Sequence, residues 1–149
     1  MDQGATGQFP VTKLLDISVL LALAWPNHIF HTPAIGWIET EKAGGTIRIA
    51  TSPITQLGFV RVSMNAKGFA QDFENAFDLF NVLISRPEFE HEFWPDDISL
   101  LSIGQSARSN LGSAQLTDFY LLNLAKARGG KLVTLDKGIK DPTAELIAT

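Results

Sequence analysis

Two stretches decide the fold: Lys13-Leu14-Leu15-Asp16-Ile17-Ser18 near the start, and Lys131-Leu132-Val133-Thr134-Leu135-Asp136 near the end. Each is a short apolar run that meets an aspartate. Such a run, bounded by turn residues, predicts a buried strand. The first strand is read over 13–17 and the second over 131–135. Between them lie amphipathic segments at helical spacing. Strands separated by helices predict an α/β chain with a mainly parallel sheet. In such sheets, ligands bind beyond the carboxyl ends of the strands. Asp16 and Asp136 are therefore expected at one rim of one sheet.

Working outward, Val19 to Trp25 reads as a helix stopped by Pro26. Thr32-Pro33 predicts a helix start, with threonine as N-cap and proline in the first helical position. That helix is expected to end near Ala43-Gly44-Gly45. Thr46 to Ala50 is β-branched and alternating, hence a strand. Ser52-Pro53 starts another helix. Phe69 to Ser85 carries Phe69, Phe73, Ala76, Phe77, Phe80 and Ile84 at spacings of three and four, the clearest amphipathic helix. Glu92 to Trp94 reads as a short strand, and Thr117 to Arg128 as a helix closed by Gly129-Gly130. Residues 1–10 are polar and Gly-rich and are read as a flexible tail. Residues 11–149 are read as a single domain, with no internal repeat and no linker.

The chain has 149 residues, 45% of them hydrophobic and 19% charged, which is ordinary globular usage and excludes a disordered or fibrous body. It has no cysteine, so zinc–thiolate sites and thiol nucleophiles are excluded. The longest unbroken apolar run, Val19 to Trp25, is far short of a bilayer span, so a cytoplasmic protein is expected. The net charge is −4, so the chain as a whole does not attract nucleic acid. Any nucleic-acid role needs a local basic patch or metal ions.

A buried carboxylate is costly unless it is paired or bound to metal. That argument applies to Asp16 and Asp136. Asp118 opens a leucine-rich helix, where a first-turn acid complementing the helix dipole is the plainer reading. For Asp136 the plain alternative is a turn residue in Asp-Lys-Gly, and for Asp16 a helix cap. Three aspartates without cysteine suit a hard cation, Mg²⁺ or Mn²⁺, which takes carboxylate and water oxygens. There is no Walker-type loop, no GxGxxG and no GxSxG elbow. His28 and His31 are placed in a turn, and His91 in a solvated acidic loop.

Four segments carry a family resemblance: Leu14-Leu15-Asp16-Ile17-Ser18-Val19-Leu20, Ser52-Pro53-Ile54-Thr55-Gln56-Leu57-Gly58-Phe59-Val60-Arg61-Val62, Gln115-Leu116-Thr117-Asp118-Phe119-Tyr120-Leu121-Leu122, and Leu132-Val133-Thr134-Leu135-Asp136-Lys137-Gly138. In this order, over roughly residues 13–140, the chain resembles the PIN-domain ribonucleases, in particular the VapC toxins of bacterial toxin–antitoxin pairs. The resemblance implies a three-layer α/β/α sandwich and an acidic pocket holding Mg²⁺ or Mn²⁺. It also implies endonucleolytic RNA cleavage, a homodimer and a cognate VapB-type antitoxin. Asp16, Asp118 and Asp136 match the catalytic, metal-binding aspartates. Ser18 and Thr117 match supporting positions. Gln56 stands where many members carry glutamate; it contributes an amide but no charge.

These matches set the expectations. The three aspartates should converge on one ion. RNA should meet a local basic patch drawn from Arg61, Arg108 and Lys137, with Lys126, Arg128, Lys131 and Lys140 nearby in sequence. Part of the Phe69–Ser85 helix surface, with Trp37 or Phe30, should form a groove for an antitoxin helix. The competing expectation, prompted by Gln56, is a catalytically weak PIN-like module that binds RNA or protein.

Overall fold

The computed structural model describes residues 10–65, 69, 72–106 and 111–149. The predicted tail, apart from Pro10, and Arg108 lie outside the described residues. Five strands, β1 (Lys13–Leu15), β2 (Ile47–Thr51), β3 (Phe89–Phe93), β4 (Lys131–Thr134) and β5 (Ala144–Leu146), form one sheet in the order β3-β2-β1-β4-β5. Every pairing is parallel. The helices are α1 (Ile17–Ala24), α2 (His31–Glu41), α3 (Pro53–Asn65), α4 (Phe73–Ile84), α5 (Leu100–Ile103) and α6 (Leu116–Ala127).

Alternation along each strand divides the core between the two faces of the sheet. Leu15, Ile47, Ile49, Phe89 and Val133 join residues of α1 to α4 in the larger cluster. Leu14, Ala50 and Leu132 point the other way, onto Leu121, Leu124 and Ala125 of α6 and onto Trp94. The result is the expected α/β/α sandwich. Strand order reverses at β1, because the chain moves outward through β2 and β3 and then returns to pair β4 on the other side. That reversal opens a crevice at the carboxyl ends of β1 and β4.

The structure corrects several boundaries. β1 is shorter than 13–17, because Asp16 turns the chain and caps α1. α2 begins at His31, so Thr32 is not its cap and Pro33 lies inside the first turn, where a missing N–H is tolerated. α4 begins at Phe73, where Asp72 accepts from the Asn75 N–H at 2.9 Å. His91 belongs to β3 and is not in a loop. β5 was not predicted: nine residues without a helix separate it from β4, so no change of period announces it.

Gly129 adopts φ +68° after α6, a left-handed stop that glycine takes without strain. Gly130 then leads into β4, close beside the backbone that precedes β1. A Cβ there would lie 2.5 Å from the Thr12 carbonyl oxygen and 2.8 Å from the Trp94 ring. Gly130→Ala is expected to destabilise the protein by about 1–3 kcal/mol through overpacking against backbone, read as a lower urea midpoint at unchanged slope.

The segment after β3 straps α3 to α6. Asp96 accepts from the Ile54 N–H at 3.0 Å, so it caps α3 from outside. The Tyr120 hydroxyl of α6 donates to the Ile98 carbonyl at 2.9 Å and accepts from the Ile98 N–H at 3.3 Å. Arg128 pairs with Asp97 at 2.9 Å and lies over the Trp94 ring. No helix among the described residues is long and apolar enough to cross a membrane.

Candidate active site

Asp16 is 4% exposed, and the fold arranges four donors around its carboxylate. Oδ1 accepts from the Ser18 N–H at 2.7 Å, the Ser18 hydroxyl at 2.6 Å and the Val19 N–H at 3.4 Å. Oδ2 accepts from the Thr134 hydroxyl at 2.6 Å. These bonds satisfy the buried charge and fix its rotamer. They leave Oδ2 with a free lone pair. The helix cap of α1 is thus filled by a side chain that keeps one oxygen open toward the rim.

Thr134, at the end of β4, also accepts the Asp136 N–H at 3.0 Å, so one hydroxyl links the two strand-end aspartates. Asp136 accepts from the Gly138 N–H at 2.8 Å, which sets the Asp-Lys-Gly turn. Asp118 lies in the first turn of α6 and shares a cleft of about 320 Å³ with Asp136, Gln115, Phe119 and Ile139. Asp136 also borders a second cleft with Ser18, His28 and Phe30.

Burial first, and then the charges of Asp16 and Asp136, push the Asp118 carboxyl up to about 6. The fold therefore brings the three aspartates within electrostatic reach at one rim. Among the described residues, no three acidic or histidine side chains stand close enough to hold one ion between them. The donor set still suits a hard divalent cation: all oxygen, no thiolate, and a repulsion that a cation relieves.

The remaining predicted positions spread around this rim. Ser18 is half-buried and holds Asp16, while Thr117 is exposed beside Asp118. Gln56 lies on the first turn of α3, and its amide donates to the Thr51 hydroxyl at 3.1 Å. It also borders an apolar groove of about 410 Å³ with Pro53, Leu57, Val60, Phe73 and Phe77. The groove thus exists beside α4, but Trp37 and Phe30 do not line it. Trp37 is buried, and its indole donates to Glu145 at 2.8 Å.

Most of the predicted basic run is committed elsewhere. Lys126 pairs with Asp141 at 2.8 Å, Arg128 with Asp97, and Lys131 donates to the Pro142 carbonyl at 3.1 Å. Arg61 and Lys137 are exposed.

Two elements escaped the sequence reading. One is Thr134; its only signal was a polar residue in an otherwise apolar strand, which demands a partner once buried. The other is the pair Thr51 and His91, joined at 2.7 Å between Thr51 Oγ1 and His91 Nε2. The period-two order Phe89, His91, Phe93 marked β3, although Glu90 and Glu92 disguised it as an acidic loop. Burial holds the His91 imidazole below its usual range, partly opposed by Glu92.

A parallel sheet whose order reverses at β1, with aspartates after β1 and β4 and a third on α6, defines an acidic-rim α/β domain. The chain belongs to the PIN-domain family, whose model matches residues 13–144. Among curated relatives it is similar to Ribonuclease VapC39 of Mycobacterium tuberculosis, 36% identical over 132 residues, which cover 88% of this chain and 93% of that protein. It is 41% identical to Ribonuclease VapC38 of the same organism over 127 residues, covering 85% and 86%. It is 35% identical to Ribonuclease VapC29 over 129 residues, covering 87% and 89%. These relatives put it in the VapC branch of the family.

Proposed function

We propose that this chain is a metal-dependent endoribonuclease toxin of a toxin–antitoxin pair, acting in the cytoplasm as a homodimer. The observation that carries this reading is the position of Asp16, Asp118 and Asp136 around the switch point of a PIN fold, with Asp118 and Asp136 lining one cleft; the raised Asp118 carboxyl agrees with it. Asp16, Asp118 and Asp136 would serve Mg²⁺ or Mn²⁺ with carboxylate oxygens, in part through the waters that such ions keep. When bound, such an ion lowers the pKa of a water and neutralises charge on a phosphodiester. Ser18 and Thr134 orient Asp16, so its ligand oxygen needs no reorganisation. Thr117 adjoins Asp118 at the rim, and Gln56 supplies a neutral amide from α3.

Purified protein should cut a mixed-sequence RNA internally with Mg²⁺ or Mn²⁺, and not with excess EDTA. Cutting that persists in EDTA overturns metal dependence. RNA binding without cutting under either condition favours the second reading, a catalytically weak binding module. That reading is favoured by the neutral Gln56, already bonded to Thr51, in place of a fourth acid.

For the RNA, Lys137 next to Asp136 and Arg61 on α3 are exposed cations, and Arg108 belongs with them by sequence. Charge reversal at Lys137 is expected to weaken RNA binding more than reversal at Lys42, which is paired with Glu39 at 2.8 Å. The gap should narrow as salt rises. Equal losses in a filter-binding titration count against this patch.

For the antitoxin, the α3/α4 groove offers Leu57 (67% exposed), Phe73 (55%) and Phe77 (46%), a row that suits the apolar face of a helix.

A further inference from the structure

Thr51 is fully buried, so its hydroxyl has no water to turn to. It has one proton to give. The Gln56 amide nitrogen donates to its oxygen at 3.1 Å, so the hydroxyl proton is free for His91 Nε2, 2.7 Å away. His91 then accepts, which requires a neutral ring protonated on Nδ1. Held below its usual range by burial, the imidazole is neutral near pH 7. One hydroxyl proton therefore ties the two ends of the chain together. If His91 accepts, the hydroxyl proton is spent and Gln56 must present nitrogen to Thr51; if His91 donates, the hydroxyl proton finds an acceptor within this chain only when Gln56 presents oxygen.

The place of this chain matters. Lys13 pairs with Ile49 and Leu14 with Ala50, so Thr51 lies beside the last residue of β1, just before Asp16. Because the strands are parallel, the carboxyl ends of β1 and β2 share one rim of the sheet, and Gln56, on the first turn of α3 and bonded to the last residue of β2, belongs to that rim. An amide oxygen there is a hard neutral donor for a cation, or an acceptor for a water or an RNA hydroxyl. An amide nitrogen would repel the cation.

We propose that His91 is a positioning residue for Gln56: through the buried Thr51 hydroxyl it commits the amide nitrogen to the sheet and leaves the amide oxygen as the working atom. The catalytic part of this proposal rests on the ribonuclease reading, whereas the hydrogen-bond chain itself does not.

The test begins on metal-free protein. Long-range ¹⁵N NMR should show His91 protonated on Nδ1. In Gln56→Glu the carboxylate has no proton to offer, so Thr51 must donate to it and His91 must become the donor. The tautomer should switch to Nε2–H. An Nε2–H ring in the unaltered protein, or no switch in Gln56→Glu, overturns the chain.

The second arm is cleavage. His91→Phe keeps the ring and removes the acceptor; it should slow cutting about three- to tenfold, the scale of one hydrogen bond. His91→Gln, whose amide oxygen reaches the former Nε2 position, should restore the rate to within about twofold. In a Gln56→Ala background, His91→Phe should cost nothing further. Equal losses with and without Gln56 would make His91 merely structural. If His91→Phe does not fold, the tautomer switch still decides. If the unaltered protein cuts no RNA with Mg²⁺, the ribonuclease reading fails while the tautomer result stands separately.

Discussion

Asp16→Asn is expected to abolish ion-dependent RNA cleavage while leaving the protein folded. Asparagine keeps an oxygen to accept from the Ser18 N–H, so the cap of α1 survives. What changes is the other side. The Thr134 hydroxyl now faces an amide N–H₂ in place of a carboxylate oxygen. It must find another acceptor, a loss of about 1 kcal/mol. The chemistry loses far more, because the charge that attracts a divalent ion is gone. Disturbing partners behind a metal ligand already lowers affinity or activity about 10–100-fold, so removing a charged ligand should exceed a hundredfold. Cleavage rates at saturating Mg²⁺, beside thermal melts, give the comparison. A variant that melts normally and retains its rate within a few-fold would remove Asp16 from the site.

The second large effect is pH. In the ion-free protein the Asp118 carboxyl titrates near 6, against 3.8 when unperturbed. Between those values the folded chain holds a proton that the unfolded chain has released. Ion-free stability therefore falls as pH rises through this window, and the added stability is gone above about pH 6. A divalent ion binds the anionic form. Below the carboxyl's pKa, apparent ion affinity should drop about tenfold per pH unit, with up to one proton released per ion bound. At pH 8 release should vanish. Calorimetric Mg²⁺ titrations in buffers of different ionisation enthalpy count those protons. Asp16→Asn, which removes one of the charges raising Asp118, should move the window to lower pH. Proton release that is the same at pH 5.5 and pH 8 would mean that Asp118 does not face the ion.

The mainly parallel α/β sheet, and the placing of Asp16 and Asp136 at one rim, were legible because strand ends are local features. The three-layer sandwich and the place of Asp118 beside them came from the family resemblance, since a helix-start acid alone has a plainer reading. An apolar run that stops at an aspartate reports its own position in a parallel sheet. The local partners, the α1 cap of Asp16 and the turn of Asp136, were legible, but the distant ones were not. Thr134 is 118 residues from Asp16, and nothing local to either predicts their bond. His91 was hidden by its glutamate neighbours, since an edge strand carries charge on its exposed positions. The basic residues 126, 128 and 131 read as a patch because sequence shows charges but not the acids and carbonyls that tertiary folding sets against them. β5 is only three residues long, too short for any periodicity to register.

The bond between Thr134 and Asp16 also bears on how the protein is made. Asp16 emerges early in synthesis, yet its second oxygen finds a partner only when residue 134 has been added, and Asp136 follows two residues later. At about 5–20 residues per second, that is a delay of roughly 6–24 s. A nascent chain of this sequence cannot assemble its acidic rim while most of it is still being translated. Chain order alone thus places completion of the rim among the last steps of the protein's synthesis.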